Sequence, residues 1–60
     1  MTEFVVWAID CMGRHWEEEV FTTYDDAYAF GLHLAEDMCS EEDWYIERRI
    51  DGQFDGYIGF

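Results

Sequence analysis

The sequence predicts an α+β domain: a small antiparallel sheet in the order β-β-α-β, completed by a fourth strand, with one helix packed on one face. Three observations carry this prediction. Residues 4–11 alternate between two faces in the period of a strand. Residues 24–38 hold an apolar stripe at helical spacing. Asp51-Gly52 separates two short strand-like runs and is a strong two-residue hairpin signal.

The first strand is read over residues 4–11. Val5, Trp7, Ile9 and Cys11 share one face, and Phe4, Val6 and Ala8 the other, so both sides are apolar. Met12, Gly13 and Arg14 supply a turn in which Gly13 takes positive φ at little cost. Residues 15–21 pair back as the second strand of a hairpin. Glu17, Glu18 and Glu19 put charge on both of its sides, with Glu18 opposed to Glu17 and Glu19, which predicts an edge position or a solvated face.

Thr23 is a good N-cap, and Asp26 three residues on completes the outline of a capping box. Asp25 and Asp26 also stand in the first turn, where the helix dipole favours anions. The helix is read over 24–38. Ala27, Gly31, Leu34, Ala35 and Met38 form its stripe, Tyr24, Tyr28 and Phe30 flank it, and Asp25, Asp26, Glu36 and Asp37 face outward. The small Ala27 and Gly31 let it lie close to a sheet. Residues 39–43 form an acidic connection. The third strand runs over 44–50 with Trp44, Ile46 and Ile50 on one face. A short fourth strand over 53–58 follows, weakened by Gly56.

All 60 residues belong to one domain. A chain this short buries only about 60% of its unfolded surface. Dense apolar packing compensates: half of the residues are apolar and twelve are aromatic rings. More rings are present than so small a core hides easily. Trp16, Tyr24, Tyr45 and Tyr57 are the candidates for exposure, against the alternative that all of them pack between sheet and helix.

Charge is the outstanding property. Fifteen acids against three arginines and no lysine give a net charge of −12, beyond the magnitude of about 2–8 at which small domains are comfortable. Like charge at this level works against the compact state. One reading is a solubility device or a salt-adapted surface; the other is that a partner needs the charge. Anionic lipid and nucleic acid are both repelled, so direct nucleic-acid or membrane binding is not expected, and the partner should be basic. No run approaches the roughly 20 apolar residues of a membrane span, and the first residues lack the basic region of a secretory signal. The expected compartment is the cytoplasm, where Cys11 and Cys39 default to free thiols rather than a disulfide.

Catalytic readings find little support. Cys11, His15, His33 and Cys39 offer two sulfurs and two imidazoles, a possible zinc set, but their spacing matches no common zinc pattern. A cysteine nucleophile needs an electropositive setting, and this chain is electronegative. The carboxylate runs do not converge in a cleft as a hydrolase requires, and no nucleotide-binding, redox or calcium-hand motif is present. The expectation is a protein that is not an enzyme and needs no cofactor.

Twelve net charges correspond to roughly 20 Å of duplex DNA at about one charge per 1.7 Å. Small size, strong acidity, one α+β unit and no catalytic motif make the chain resemble phage-encoded inhibitors: anti-CRISPR proteins and other DNA mimics that block host nucleases, glycosylases or restriction enzymes. The resemblance spans the chain and is compositional. It implies an inhibitor that fills the basic groove of a nucleic-acid-binding host protein, such as a CRISPR-Cas effector or a nuclease, in the host cytoplasm. The candidate contacts are Glu17, Glu18, Glu19, Glu36, Asp37, Glu41, Glu42 and Asp43. One alternative is a non-catalytic interaction or homodimerisation module using exposed aromatics or a sheet edge; another is a zinc-stabilised mini-domain using Cys11, His15, His33 and Cys39.

Overall fold

A computed structural model describes residues 1–58. The elements are β1 (Thr2–Ile9), β2 (His15–Phe21), α1 (Tyr24–Glu36), β3 (Asp43–Ile50) and β4 (Gln53–Ile58). The four strands form one antiparallel sheet in the order β2-β1-β3-β4, with α1 against one face. This is the α+β architecture that the patterning predicts. The most apolar strand, β1, lies inside the sheet and the charged β2 lies at its edge, because a solvated edge tolerates carboxylates that an interior strand does not.

Cross-strand partners share a face, and the register therefore sorts the side chains. Phe4, Val6 and Ala8 stand opposite Arg48, Ile46 and Trp44 on the side covered by α1. Val6, Ala27 and Ile46 form the core there, with Phe4, Phe21, Tyr24, Phe30, Leu34 and Trp44 packed around it. Val5 and Trp7 stand opposite Glu47 and Tyr45 on the side away from α1, where Val5, Tyr45 and Glu47 are buried. Ile50 has the helix-side parity but lies at the end of its strand, where it stays exposed.

Several boundaries differ from the sequence reading. β1 begins at Thr2 and stops at Ile9, leaving Asp10 and Cys11 in the turn. The cause is Asp10, whose Oδ1 accepts the backbone N–H of Met12 and of Arg14 at 2.9 and 2.8 Å. Such an Asx arrangement offers the chain an alternative to further ladder bonds. Gly13 (φ 82°) lets the turn close. Helix α1 begins as expected, with the Thr23 hydroxyl accepting the Asp26 N–H at 3.3 Å. It ends two residues early. Asp37 and Met38 donate to Leu34 and Ala35 at 3.2 and 3.1 Å, three residues back, which tightens the last turn and releases the chain. Asp51 (φ 53°) and Gly52 (φ 82°) both have positive φ, as a type I′ hairpin requires.

One feature of β2 overturns a facing assignment. The register shifts between Val6 and Trp7, so Glu19 stands opposite Val6 and Glu17 opposite Trp7, with Glu18 as the extra residue. The bulge carries Glu17 and Glu19 to opposite sides of the sheet, although strict alternation would put them together.

Candidate protein-interaction surface

The positive groups are few, and the fold engages them internally. Arg14 Nε donates to Asp10 at 2.9 Å. Arg48 Nε donates to Asp55 at 2.6 Å. Arg49 reaches both oxygens of Glu47 at 3.0 and 3.1 Å and lies 3.6 Å from Glu17. The amino group of Met1 pairs with Asp51. Of the eight candidate acids, Glu17 alone meets an arginine among the described residues. Glu18, Glu19, Glu42 and Asp43 accept only from neutral donors nearby: the Trp16 indole and the backbone N–H groups of Val20, Cys39 and Trp44.

The topology gathers five of these acids. Ile9 stands opposite both His15 and Asp43, so these residues define one end of the sheet. Helix α1 starts with Tyr24 against Phe4 and passes over Trp44 at Gly31, so its last turn projects beyond that same end. Glu36, Asp37, Glu41, Glu42 and Asp43 therefore share it. Met1, Arg48 and Arg49 lie toward the opposite end, beside Thr2, Glu3 and Phe4. Glu17, Glu18 and Glu19 form a separate row along the β2 edge. Glu17 is two residues from His15, about 7 Å along the strand.

The sheet face away from the helix has its own organisation. A chain of rings crosses it from β4 to β1 and β2. Phe54 and Tyr57 lie 5.0 Å apart, Tyr57 and Tyr45 5.2 Å, Tyr45 and Trp7 6.1 Å in near-parallel planes, and Tyr45 and His15 5.7 Å. The His15 Nδ1 is 3.0 Å from the Tyr45 hydroxyl. Tyr45, a candidate for exposure from sequence, is buried because Trp7, His15 and Tyr57 surround it. Tyr24 is half-buried against Phe4, while Trp16 and Tyr57 are exposed. Phe54 and Tyr57 are 59% and 58% exposed.

Glu47 sits among these rings with only 7% of its surface exposed. Its Oε1 accepts the Trp7 indole N–H at 2.8 Å, and both oxygens accept from Arg49. Burial pushes its acidity down, but the hydrogen bonds from Arg49 and Trp7 and the Arg49 charge outweigh that. The carboxyl is held below the ordinary glutamate range. Arg49 is correspondingly raised, chiefly by its hydrogen bonds to Glu47. Burial first, then the neighbouring Tyr57 and Glu47, raises the Tyr45 phenol. A buried carboxylate bonded by Trp7 from β1 and by Arg49 from its own strand fixes β3 against β1.

The sequence reading names neither this network nor Phe54. The signal was available: with Trp44 and Ile46 assigned to the core side, period-2 alternation leaves Tyr45, Glu47 and Arg49 together on the other.

Cys11 and Cys39 are both free and exposed. Cys11 lies in the first turn, His15 opens β2, His33 is on the exposed side of α1 and Cys39 is in the acidic connection. The described residues contain no group of three or more His, Cys, Asp or Glu side chains placed to hold a metal, and they enclose no pocket. No helix among them is long and apolar enough to cross a membrane. Comparison with known protein families, curated proteins and solved structures finds no match.

Proposed function

We propose that this chain is a non-catalytic inhibitor that binds a nucleic-acid-binding host protein in the host cytoplasm and fills its basic groove by charge mimicry. The observation that supports this is the segregation of charge. The arginines are neutralised within the fold, three of the four positive groups lie toward one end, and Glu36, Asp37, Glu41, Glu42 and Asp43 gather at the other. The molecule measures 33 × 20 × 17 Å. A duplex 33 Å long carries roughly 19 phosphate charges, so −12 along the long axis is about six-tenths of that density. A groove built for phosphates meets a comparable field, and association is fast and steeply salt-dependent.

The test is capture from bacterial lysate on wild-type protein and on a variant carrying Glu36→Lys, Asp37→Lys, Glu41→Lys and Glu42→Lys. The wild type should retain a nucleic-acid-binding protein at low salt. Duplex DNA should displace it, and so should about 1 M salt, where the Debye length is near 3 Å. The variant should lose it while keeping the same circular dichroism. Equal capture by the folded variant would refute the reading.

A second reading, an interaction module using aromatic surface, is favoured by Phe54 and Tyr57, both more than half exposed at the end of a ring chain. A partner that stays bound through the salt wash would support it instead.

A further inference from the structure

We propose that the outer edge of β2 is a strand-addition site, on which an extended, lysine- or arginine-bearing segment of the partner protein pairs as a fifth strand. This rests on the reading of a basic partner and deepens it. Two features carry it: the open ladder and the charge along it. β2 pairs with β1 alone among the described residues. The other side of an edge strand presents backbone N–H and C=O groups that a further strand can pair. At Val20 the N–H is met by the carboxylate of its own neighbour, Glu19, at 3.1 Å. That contact is local and exposed, and a strand carbonyl can replace it.

The bulge gives the charge its form. Side chains of a strand alternate between two faces. Glu17 stands with Trp7 on one side of the sheet and Glu19 with Val6 on the other, so successive basic residues of an added strand meet a carboxylate on each face. Glu18 and Glu19 accept from neutral donors, the Trp16 indole and the Val20 N–H. Glu17 lies 3.6 Å from Arg49, whose shorter bonds go to Glu47, and its side chain stays 42% exposed. β2 has no lysine or arginine of its own. Trp16 and Val20, 40% and 38% exposed, lie one on each side and offer cover for the aliphatic stems of basic residues. The opposite edge, β4, has one acid, Asp55, and Arg48 already holds it at 2.6 Å. A second copy would set three glutamates against three. Nucleic acid brings neither a peptide ladder nor positive charge.

The test is titration of the isotope-labelled chain with hexa-lysine and with hexa-lysine methylated at every backbone nitrogen, followed by amide NMR at about 0.15 M salt. Methylation keeps the charges and removes the donors that a fifth strand needs. Hexa-lysine should bind roughly ten-fold or more tightly than the methylated peptide, the equivalent of about two net hydrogen bonds. It should shift the amides of residues 15–21 and slow hydrogen exchange along β2. Glu17→Gln with Glu19→Gln should weaken its binding by about five-fold. The comparison of the two peptides on the wild type decides the matter by itself if that pair of substitutions unfolds the chain. Equal affinity for the two peptides, or shifts confined to residues 36–43, would overturn the proposal while leaving the groove-mimicry reading intact. Shifts centred on residues 53–58, or undiminished binding by the folded double variant, would overturn it as well. Absence of binding by either peptide would count against both readings.

Discussion

Gly31 offers a test of how closely the helix approaches the sheet. It lies in the middle of α1, where glycine costs about 1 kcal/mol relative to alanine. Propensity alone therefore predicts that Gly31→Ala stabilises the fold by that amount. The packing predicts the opposite. A Cβ at this position would stand 2.5 Å from two carbons of the Trp44 ring and closer still to a third. Ordinary contact begins near 3.4 Å, so the ring must retreat by about 1 Å or the helix must lift. Trp44 also stacks edge to face on Tyr28 at 5.9 Å and borders the core, so the movement disturbs both. Overpacking of this kind costs typically 1–3 kcal/mol. Allowing for the propensity gain of about 1 kcal/mol, a net loss of about 0–2 kcal/mol follows. For a domain of this size that lowers the Tm by up to roughly 15 °C.

The assay is thermal unfolding followed by circular dichroism at 222 nm for Gly31→Ala, Trp44→Leu and the double variant. Trp44→Leu is destabilising alone, but it clears the site. In its background Gly31→Ala should become neutral or stabilising, because only the propensity gain remains. A coupling of about 1–3 kcal/mol between the two positions is expected for residues in contact. If Gly31→Ala raises the Tm in the wild-type background, the close approach of α1 to β3 is wrong.

Glu47→Gln keeps an acceptor for Trp7 but removes the charge that Arg49 bonds, and should cost about 2 kcal/mol at neutral pH. Because the folded carboxyl is held below its unfolded value of about 4.3, its contribution is complete above that pH and lost as pH falls through the folded value. The gap between wild type and Glu47→Gln, measured by urea unfolding, should therefore narrow below about pH 4; a constant gap down to pH 2 would show that the carboxylate is not the stabilising form. Sodium chloride at about 1 M should raise the Tm, since ten acids lack a cationic partner among the described residues and exposed ion pairs are worth at most about 1 kcal/mol each. A fall in Tm with salt would mean that the ion pairs outweigh the repulsion.

The elements were legible because each had a local cause. The Thr23 cap, the Asp51-Gly52 turn and the alternation of β1 act within a few residues, and the fold keeps them. The errors came from contacts that a linear pattern does not contain. Strict alternation places Glu17 with Glu19, and the bulge at Glu18 separates them. Tyr45 is a polar-tipped aromatic in a charged stretch. It is buried because Trp7, His15 and Tyr57 come from three other strands. The acidic end was only half visible. Glu41, Glu42 and Asp43 are adjacent in the chain. Their meeting with Glu36 and Asp37 follows from the short connection after α1, but the placing of Arg48 and Arg49 toward the opposite end depends on the register of β1 with β3.

The acidity and the exposed rings act on the same property, self-association. The one described helix covers one face of the four-stranded sheet, and on the other face Val5, Tyr45 and Glu47 are buried beneath a chain of rings. On that second face Trp7 and Tyr45 stack beside the Glu47–Arg49 network, while Phe54 and Tyr57 on the edge strand are more than half exposed. Exposed rings on a strand that has a partner on one side only among the described residues normally invite self-association. A charge of −12 opposes it, because every encounter between two copies is repulsive before the rings touch. The same charge does not oppose a cationic partner. If the partner is basic, as proposed, the acid shell does more than keep the chain dispersed: it selects which surfaces reach the rings. On this argument, replacing surface acids with neutral Asn and Gln should do more than weaken capture of a basic protein. It should also make the chain self-associate at concentrations where the wild type stays monomeric, and Phe54→Ser with Tyr57→Ser should reverse that self-association. Sedimentation of the three proteins side by side separates this from a shell that serves solubility only, in which case the ring substitutions would change nothing.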